Sequence, residues 1–194
     1  MLYLNQADYR HIPYITHTKD DHITDKVYNV ARSGCGLCCL CMMVDQLTTS
    51  ALPIEECVKL SEGCGANYGA GTDMSMLAPV IAEKFEVDYH ATDELEEALC
   101  HLQAGGHVIM HVSKQANGEP GLFTKGGHYI SLIATDGEQV CILDPSYTPD
   151  KFHTPAREGK VDDHRAPFLY CHKDLLPPEG KRECVKYHLF GRKK

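Results

Sequence analysis

The sequence predicts an α+β fold in which helices collect first and an antiparallel sheet follows. Three observations carry that prediction. Helical apolar periodicity is confined to the stretch between Cys35 and Gln103. Alternating segments rich in β-branched and aromatic residues come after it, in "HVIMHV", "HYISLIAT", "QVCILD" and "CVKYHLF". Two of these are joined by "TDGEQ", whose Asp136-Gly137 dipeptide suits the tight turn of a hairpin.

Each element has its own signal. In "SGCGLCCLCMMVDQL", Leu37, Leu40, Val44 and Leu47 recur at helical spacing and form one apolar stripe. A second helix is predicted around "IEECVKLS". "DMSMLAPVIAEKF" opens on Asp73, a good N-cap, and stacks Met76, Leu77, Val80, Ile81 and Phe85. Pro79 inside it predicts a kink or a later start. "DELEEALCHLQAGG" offers Asp93 as cap with Glu96 three residues on, aligns Leu95, Leu99 and Leu102, and stops at Gly105 and Gly106. "GEPG" and "TPDKFHTPAREGKVDDHRAP" are expected to be loops, and "CVKYHLF" a last strand at the sheet edge. Residues 113–125, also loop-like, precede His128 and are candidates to shape a substrate groove.

Composition excludes several classes. The chain of 194 residues fits a single domain, 1–194, with 43% hydrophobic residues and no repeat or low-complexity run. Its net charge of −8 argues against nucleic acid or an anionic membrane as partner. No apolar run approaches the roughly 18 residues that cross a bilayer. The opening "MLYLNQADYRHIPY" lacks the basic start and apolar stretch of an export signal. Reduced thiols in a cytoplasm are therefore the expectation for the ten cysteines.

Four of those cysteines, Cys35, Cys38, Cys39 and Cys41, crowd into seven positions. Zinc knuckles would come as two separated Cys-x-x-Cys pairs, and only one cluster is present. On a helix Cys35, Cys38 and Cys39 share a face while Cys41 points elsewhere, so four ligands from this segment cannot surround a tetrahedral ion. No metal or other cofactor is expected. Inside the helix Cys38, Cys39 and Cys41 read as small hydrophobic residues. Cys35 differs. It stands between Gly34 and Gly36, where a loop turns into the helix, and free N–H groups at a helix start stabilise a thiolate.

A base is found downstream. Folding the hairpin about Asp136-Gly137 pairs positions whose numbers sum to about 273, which sets His128 opposite Asp144 or Pro145. A carboxylate beside an imidazole fixes its tautomer and leaves the other ring nitrogen for the thiol. Cys35, His128 and Asp144 together suit thiol-based acyl transfer.

At these residues the sequence resembles the papain-like cysteine peptidases of the bacteriocin-leader (double-glycine) type, the C39-like peptidases, and it is most similar to their stand-alone members without a transporter. Their glycine-cysteine-glycine turn reads "GCGLCCLCMMV", their glycine-histidine strand start "FTKGGHYISLI", and their aspartate-proline "VCILDPS". The resemblance implies a papain-like fold, helices packed on a C-terminal antiparallel sheet, and no cofactor. It implies Cys35 as nucleophile, His128 as general base and Asp144 as the residue that orients it. It also implies an oxyanion-hole amide from Gln6 in "YLNQADYRHIPY", with Asn5 as the alternative donor. The substrate implied is a peptide or protein, cleaved through an acyl-enzyme. The match runs from Tyr3 to about Tyr147. Leu37 departs from the family's usual proline or alanine, and "CGLC" leaves Cys38 as a second candidate nucleophile. Two alternatives stand beside hydrolysis: acyl transfer to an amine by the same three residues, and a thiol-rich zinc-binding or redox-sensing module.

Overall fold

The structure is a computed structural model and describes residues 1–16, 26–67, 71–115, 118–176 and 185–193. A 3-10 turn at Gln6–Tyr9 precedes a small antiparallel pair, β1 (Pro13–Thr16) and β2 (Lys26–Asn29). The helices are α1 (Val30–Ser33), α2 (Cys35–Leu47), α3 (Ile54–Gly63), α4 (Met74–Lys84) and α5 (Leu95–Gln103). Seven further strands are β3 (Val87–Thr92), β4 (His107–Val112), β5 (His128–Thr135), β6 (Gln139–Leu143), β7 (Asp162–Arg165), β8 (Phe168–His172) and β9 (Tyr187–Arg192). They form one sheet in the order β3-β9-β4-β5-β6-β8-β7, antiparallel throughout. The architecture is mixed α+β, as the sequence predicts.

Strand alternation divides the core between the two faces of the sheet. Ile109, Tyr129, Leu143 and Phe190 face α2, α3 and α4. Val108, Met110, Ile130, Leu132 and Leu189 face the other way, against Leu99 and Leu102 of α5. Helices therefore cover both faces, whereas the sequence reading set them on the sheet as one group. The predicted stripe of α2 is only part of its buried surface. Cys38, Cys39, Cys41, Met42 and Met43 are also fully buried, so most of the helix surface is enclosed and Asp45 is its exposed residue. Truncating one of its leucines to alanine costs about 2–5 kcal/mol in such a setting.

Several local readings are corrected. The segment "CVKYHLF" yields β9, which is a central strand between β3 and β4, not an edge. Its Tyr187, His188, Leu189 and Phe190 are all buried. The "DDHR" stretch, read as loop, pairs with β8 as β7. Helix α5 begins after Glu94 without a side-chain cap, and the Asp93 carboxylate instead accepts the Lys186 N–H at 2.8 Å. Asp73 does cap α4, accepting from the Ser75 N–H at 3.0 Å, and the helix continues through Pro79. Met76 is 44% exposed, and the inward face is Met74, Leu77, Ala78 and Ile81. In the hairpin Asp136 accepts from the main chain of Glu138 and Gln139, and Gly137 takes φ +102, a conformation glycine accommodates. Next to the turn the β5–β6 pairs lie two positions from the predicted sum, and a bulge between Leu132 and Ala134 reduces the offset to one.

Candidate active site

The start of α2 is shaped by the glycines around Cys35. Val30 caps off α1 by accepting the Gly34 N–H at 2.8 Å, and Gly34 accepts the Cys38 N–H at 3.0 Å. A Cβ on Gly34 would lie 2.6 Å from the Val30 carbonyl oxygen, so only glycine makes this turn. A Cβ on Gly36 would press on Met74, Tyr129 and Thr72 at 3.2–3.3 Å. The turn thus delivers Cys35 to the first position of a rigid helix, partly exposed, as a free thiol.

Opposite it, His128 opens β5. Its Nε2 lies 2.8 Å from Asp144 Oδ1, and its side chain also hydrogen-bonds the Cys35 thiol. Asp144 is fully buried just beyond β6. Its Oδ1 also accepts the Ser146 N–H at 2.8 Å, and its Oδ2 accepts from Lys151 Nζ at 2.6 Å. Lys151 donates to Ser146 Oγ at 2.6 Å as well, and that hydroxyl sits 3.1 Å from His128 Nε2.

The charges support one another. Burial alone would raise the Cys35 thiol, but the charge and hydrogen bond of His128, with main-chain hydrogen bonds from Tyr129 and Gly36, bring it below its ordinary value. Burial alone would lower His128, but Asp144 and Cys35 raise it to about 9. Burial would raise Asp144, and His128 and Lys151 together hold it well below the usual carboxylate range. Both shifts act in the direction of a thiolate beside an imidazolium, the form in which sulfur attacks carbonyl carbon.

Gln6 reaches this place by a separate route. Residues 3–6 lie along the Asp144–Tyr147 segment. Tyr3 Oη donates to the Asp144 carbonyl at 2.8 Å, Asn5 Nδ2 to the Tyr147 carbonyl at 2.9 Å, and the Gln6 N–H to the Pro145 carbonyl at 2.8 Å. Gln6 Nε2 then donates to the Ala31 carbonyl at 2.7 Å, four residues ahead of Cys35. Gln6 lines the same cleft as Cys35 and His128. Asn5 does not line that cleft, and its side chain caps the 3-10 turn through the Ala7 N–H.

The cleft holds about 490 Å³, and Cys35, Thr72, Asp73, His128, Tyr129 and His188 are among the residues that line it. Two features here were missed. His188 and Tyr129 belong to strands the sequence reading placed without facing them to a site. Lys151 lies in a loop whose Pro and charge content gave no hint of a buried ion pair. The described part of the loop 113–125 does not line this cleft; Gln115, Pro120, Gly121, Leu122 and Phe123 line a separate hollow of about 140 Å³. Cys38 is fully buried, and burial first, then the charges of Cys41 and Cys35, push its thiol well above the ordinary range. It stays protonated and out of reach. Among the described residues no cluster of three or more His, Cys, Asp or Glu side chains could hold a metal ion. No helix among them is long and apolar enough to cross a membrane.

Comparison with known proteins gives a likeness of fold. No protein-family model matches the chain, and no curated protein does. Among solved structures it is similar to a crystal structure assigned as a C39-like peptidase from Bacillus anthracis. The TM-score is 0.54 at 14% identity, over 100% of this chain and 95% of that one.

Proposed function

We propose that the chain is a papain-like thiol peptidase of the C39-like kind, acting on a peptide or protein. Cys35 is the nucleophile, His128 the general base and acid, Asp144 the group that orients it, and Gln6 an oxyanion donor. The observation that carries this is the His128 side chain, hydrogen-bonded both to Asp144, at 2.8 Å, and to the Cys35 thiol at a helix start. The fold likeness to a structure assigned as a C39-like peptidase supports the same reading. The unpaired state of the nine described cysteines suits a reducing compartment.

The thiolate attacks the scissile carbonyl, forming a tetrahedral intermediate. The Cys35 main-chain N–H and the second N–H of Gln6 Nε2 hold the oxyanion, each such donor contributing about 3–4 kcal/mol in a dry site. His128 passes its proton to the leaving amine. It then takes one from water, which releases the acyl group from sulfur.

Iodoacetamide tests the reading without a known substrate. Cys35 should be alkylated far faster than the other nine thiols at pH 7, and the advantage should vanish in His128→Ala. Labelling spread evenly over the accessible thiols would refute it. Product analysis of cleaved peptides with and without an added amine separates hydrolysis from acyl transfer.

A further inference from the structure

The Ser146 hydroxyl is required neither by the turn that carries it nor by the ion pair beside it. Asp144, Pro145, Ser146 and Tyr147 make a β-turn, closed by the Tyr147 N–H to the Asp144 carbonyl at 3.1 Å. The Asp144 carboxylate accepts the Ser146 N–H at 2.8 Å, the local bond an aspartate makes at the start of a turn. Residues 3–6 hold the turn from outside through the carbonyls of Asp144, Pro145 and Tyr147. The main chain of Ser146 is fixed by these bonds, and none of them uses its hydroxyl.

That hydroxyl has three polar neighbours. Lys151 Nζ lies 2.6 Å from it, and Asp144 Oδ1 and His128 Nε2 each lie 3.1 Å from it. A hydroxyl has one proton and two lone pairs. The Lys151 ammonium can only donate, so it occupies one lone pair. His128 and Lys151 keep Asp144 ionised against the effect of burial, so Oδ1 can only accept and takes the hydroxyl proton. One lone pair remains, and Nε2 fills it only when it carries a proton. That proton then lies between Asp144 Oδ1 at 2.8 Å and Ser146 Oγ at 3.1 Å. Were Nε2 bare, the hydroxyl could turn to it only by leaving two acceptors, Nε2 and Oδ1, face to face at 2.8 Å.

We propose that Ser146 is a positioning residue for the acid–base steps at this centre: its hydroxyl, turned by Lys151, is the second acceptor of the His128 Nε2–H and holds the ring by two contacts instead of one. The proposal rests on the peptidase reading above. A single acceptor lets the ring pivot about the N–H···O line. A second acceptor on a separate residue stops that pivot. The network also keeps Nε2 protonated, so the proton that the ring gives to a leaving group or takes from water is the one on its other nitrogen. Ser146 touches no reacting atom and acts only through the ring.

The probe is p-nitrophenyl acetate, which needs no known peptide substrate. The Cys35 thiolate bonds to the acetyl carbon and expels p-nitrophenolate, which leaves without a proton. Water then attacks the thioester, His128 takes the water proton, and the C–S bond breaks to return the thiolate and release acetate. The burst of p-nitrophenolate reads the first step and the steady rate the second, while mass spectrometry locates the acetyl group. In Ser146→Ala the steady rate should fall about tenfold and the burst rate about twofold. Ser146→Thr keeps a hydroxyl and should recover the steady rate to within about threefold of wild type. A substitution that merely damaged the fold would slow both steps alike. In wild-type protein carrying ¹⁵N-histidine, the His128 Nε2 signal should stay that of a protonated nitrogen both below and above the pH of about 9 at which the ring loses its charge. An undiminished steady rate in Ser146→Ala, equal losses in both steps, no recovery with threonine, or an Nε2 that gives up its proton near that pH would each overturn the role of Ser146. Wild-type protein in which other thiols take the acetyl group and Cys35 does not would overturn the peptidase reading instead.

Discussion

His128 Nε2 and Asp144 Oδ1 lie 2.8 Å apart, so the carboxylate holds the imidazole ring by that nitrogen. Because Asp144 is fully buried, its charge acts on the ring with little screening. It is the principal influence that lifts His128 to about 9 against the opposing effect of burial. Replacing it by asparagine keeps the shape and removes the charge. Burial is then opposed only by Cys35, and the imidazole holds its proton less tightly. We expect Asp144→Asn to lower peptide cleavage by about 100-fold or more and to move the alkaline limb of Cys35 alkylation downward from near pH 9. A pH–rate profile of alkylation, with unfolding followed in parallel, checks this. An unmoved limb would separate Asp144 from the chemistry.

Lys151 constrains the same carboxylate from the far side. Its Nζ meets Asp144 Oδ2 and Ser146 Oγ, both at 2.6 Å, and its side chain is only 9% exposed. The ion pair is therefore buried, and removing one partner leaves the other uncompensated. Lys151→Met should cost about 3 kcal/mol of stability in urea titrations. It should also leave Asp144 more available to His128, so the alkaline limb of Cys35 alkylation rises instead of falling. The opposite directions expected for Asp144→Asn and Lys151→Met form an internal check, since a general loss of folding would move both alike.

The sequence made the local chemistry legible and the long-range geometry much less so. The Gly34-Cys35-Gly36 turn, the amphipathic run behind it and the Asp136-Gly137 hairpin are decided by neighbours within a few residues, and each stands where predicted. The His128–Asp144 pairing survived a register off by one to two positions because side chains at the strand ends reach across the difference. Strand β9 was misjudged as an edge because its neighbours β3 and β4 are about eighty to a hundred residues away, and nothing local encodes that pairing. The same holds for Lys151, whose loop composition signals exposure while its ammonium is drawn in by one buried carboxylate. Met76 was placed on the inward stripe of α4 by its spacing, but the packed face runs through Met74, Leu77, Ala78 and Ile81 and leaves it exposed.

Another buried histidine makes the fold sensitive to acid. His107 of β4 is fully buried between α2 and β5, with Nδ1 2.7 Å from Gln46 Oε1 and Nε2 3.0 Å from Ser131 Oγ. Burial, with a smaller contribution from the charge of His101, pushes it down to about 3. Below the ordinary histidine value near pH 6.5 the unfolded chain binds a proton that the folded chain refuses. Stability from this group is thus complete above about pH 6.5 and is lost as pH falls toward about 3. At pH 5 the loss from His107 alone is about 2 kcal/mol. His107→Gln retains a hydrogen-bonding side chain between Gln46 and Ser131 but cannot titrate. Urea titrations at pH 7 and pH 5 should show the variant losing about 2 kcal/mol less than the wild type between the two. An identical pH dependence would mean that His107 does not titrate differently in the folded and unfolded chains.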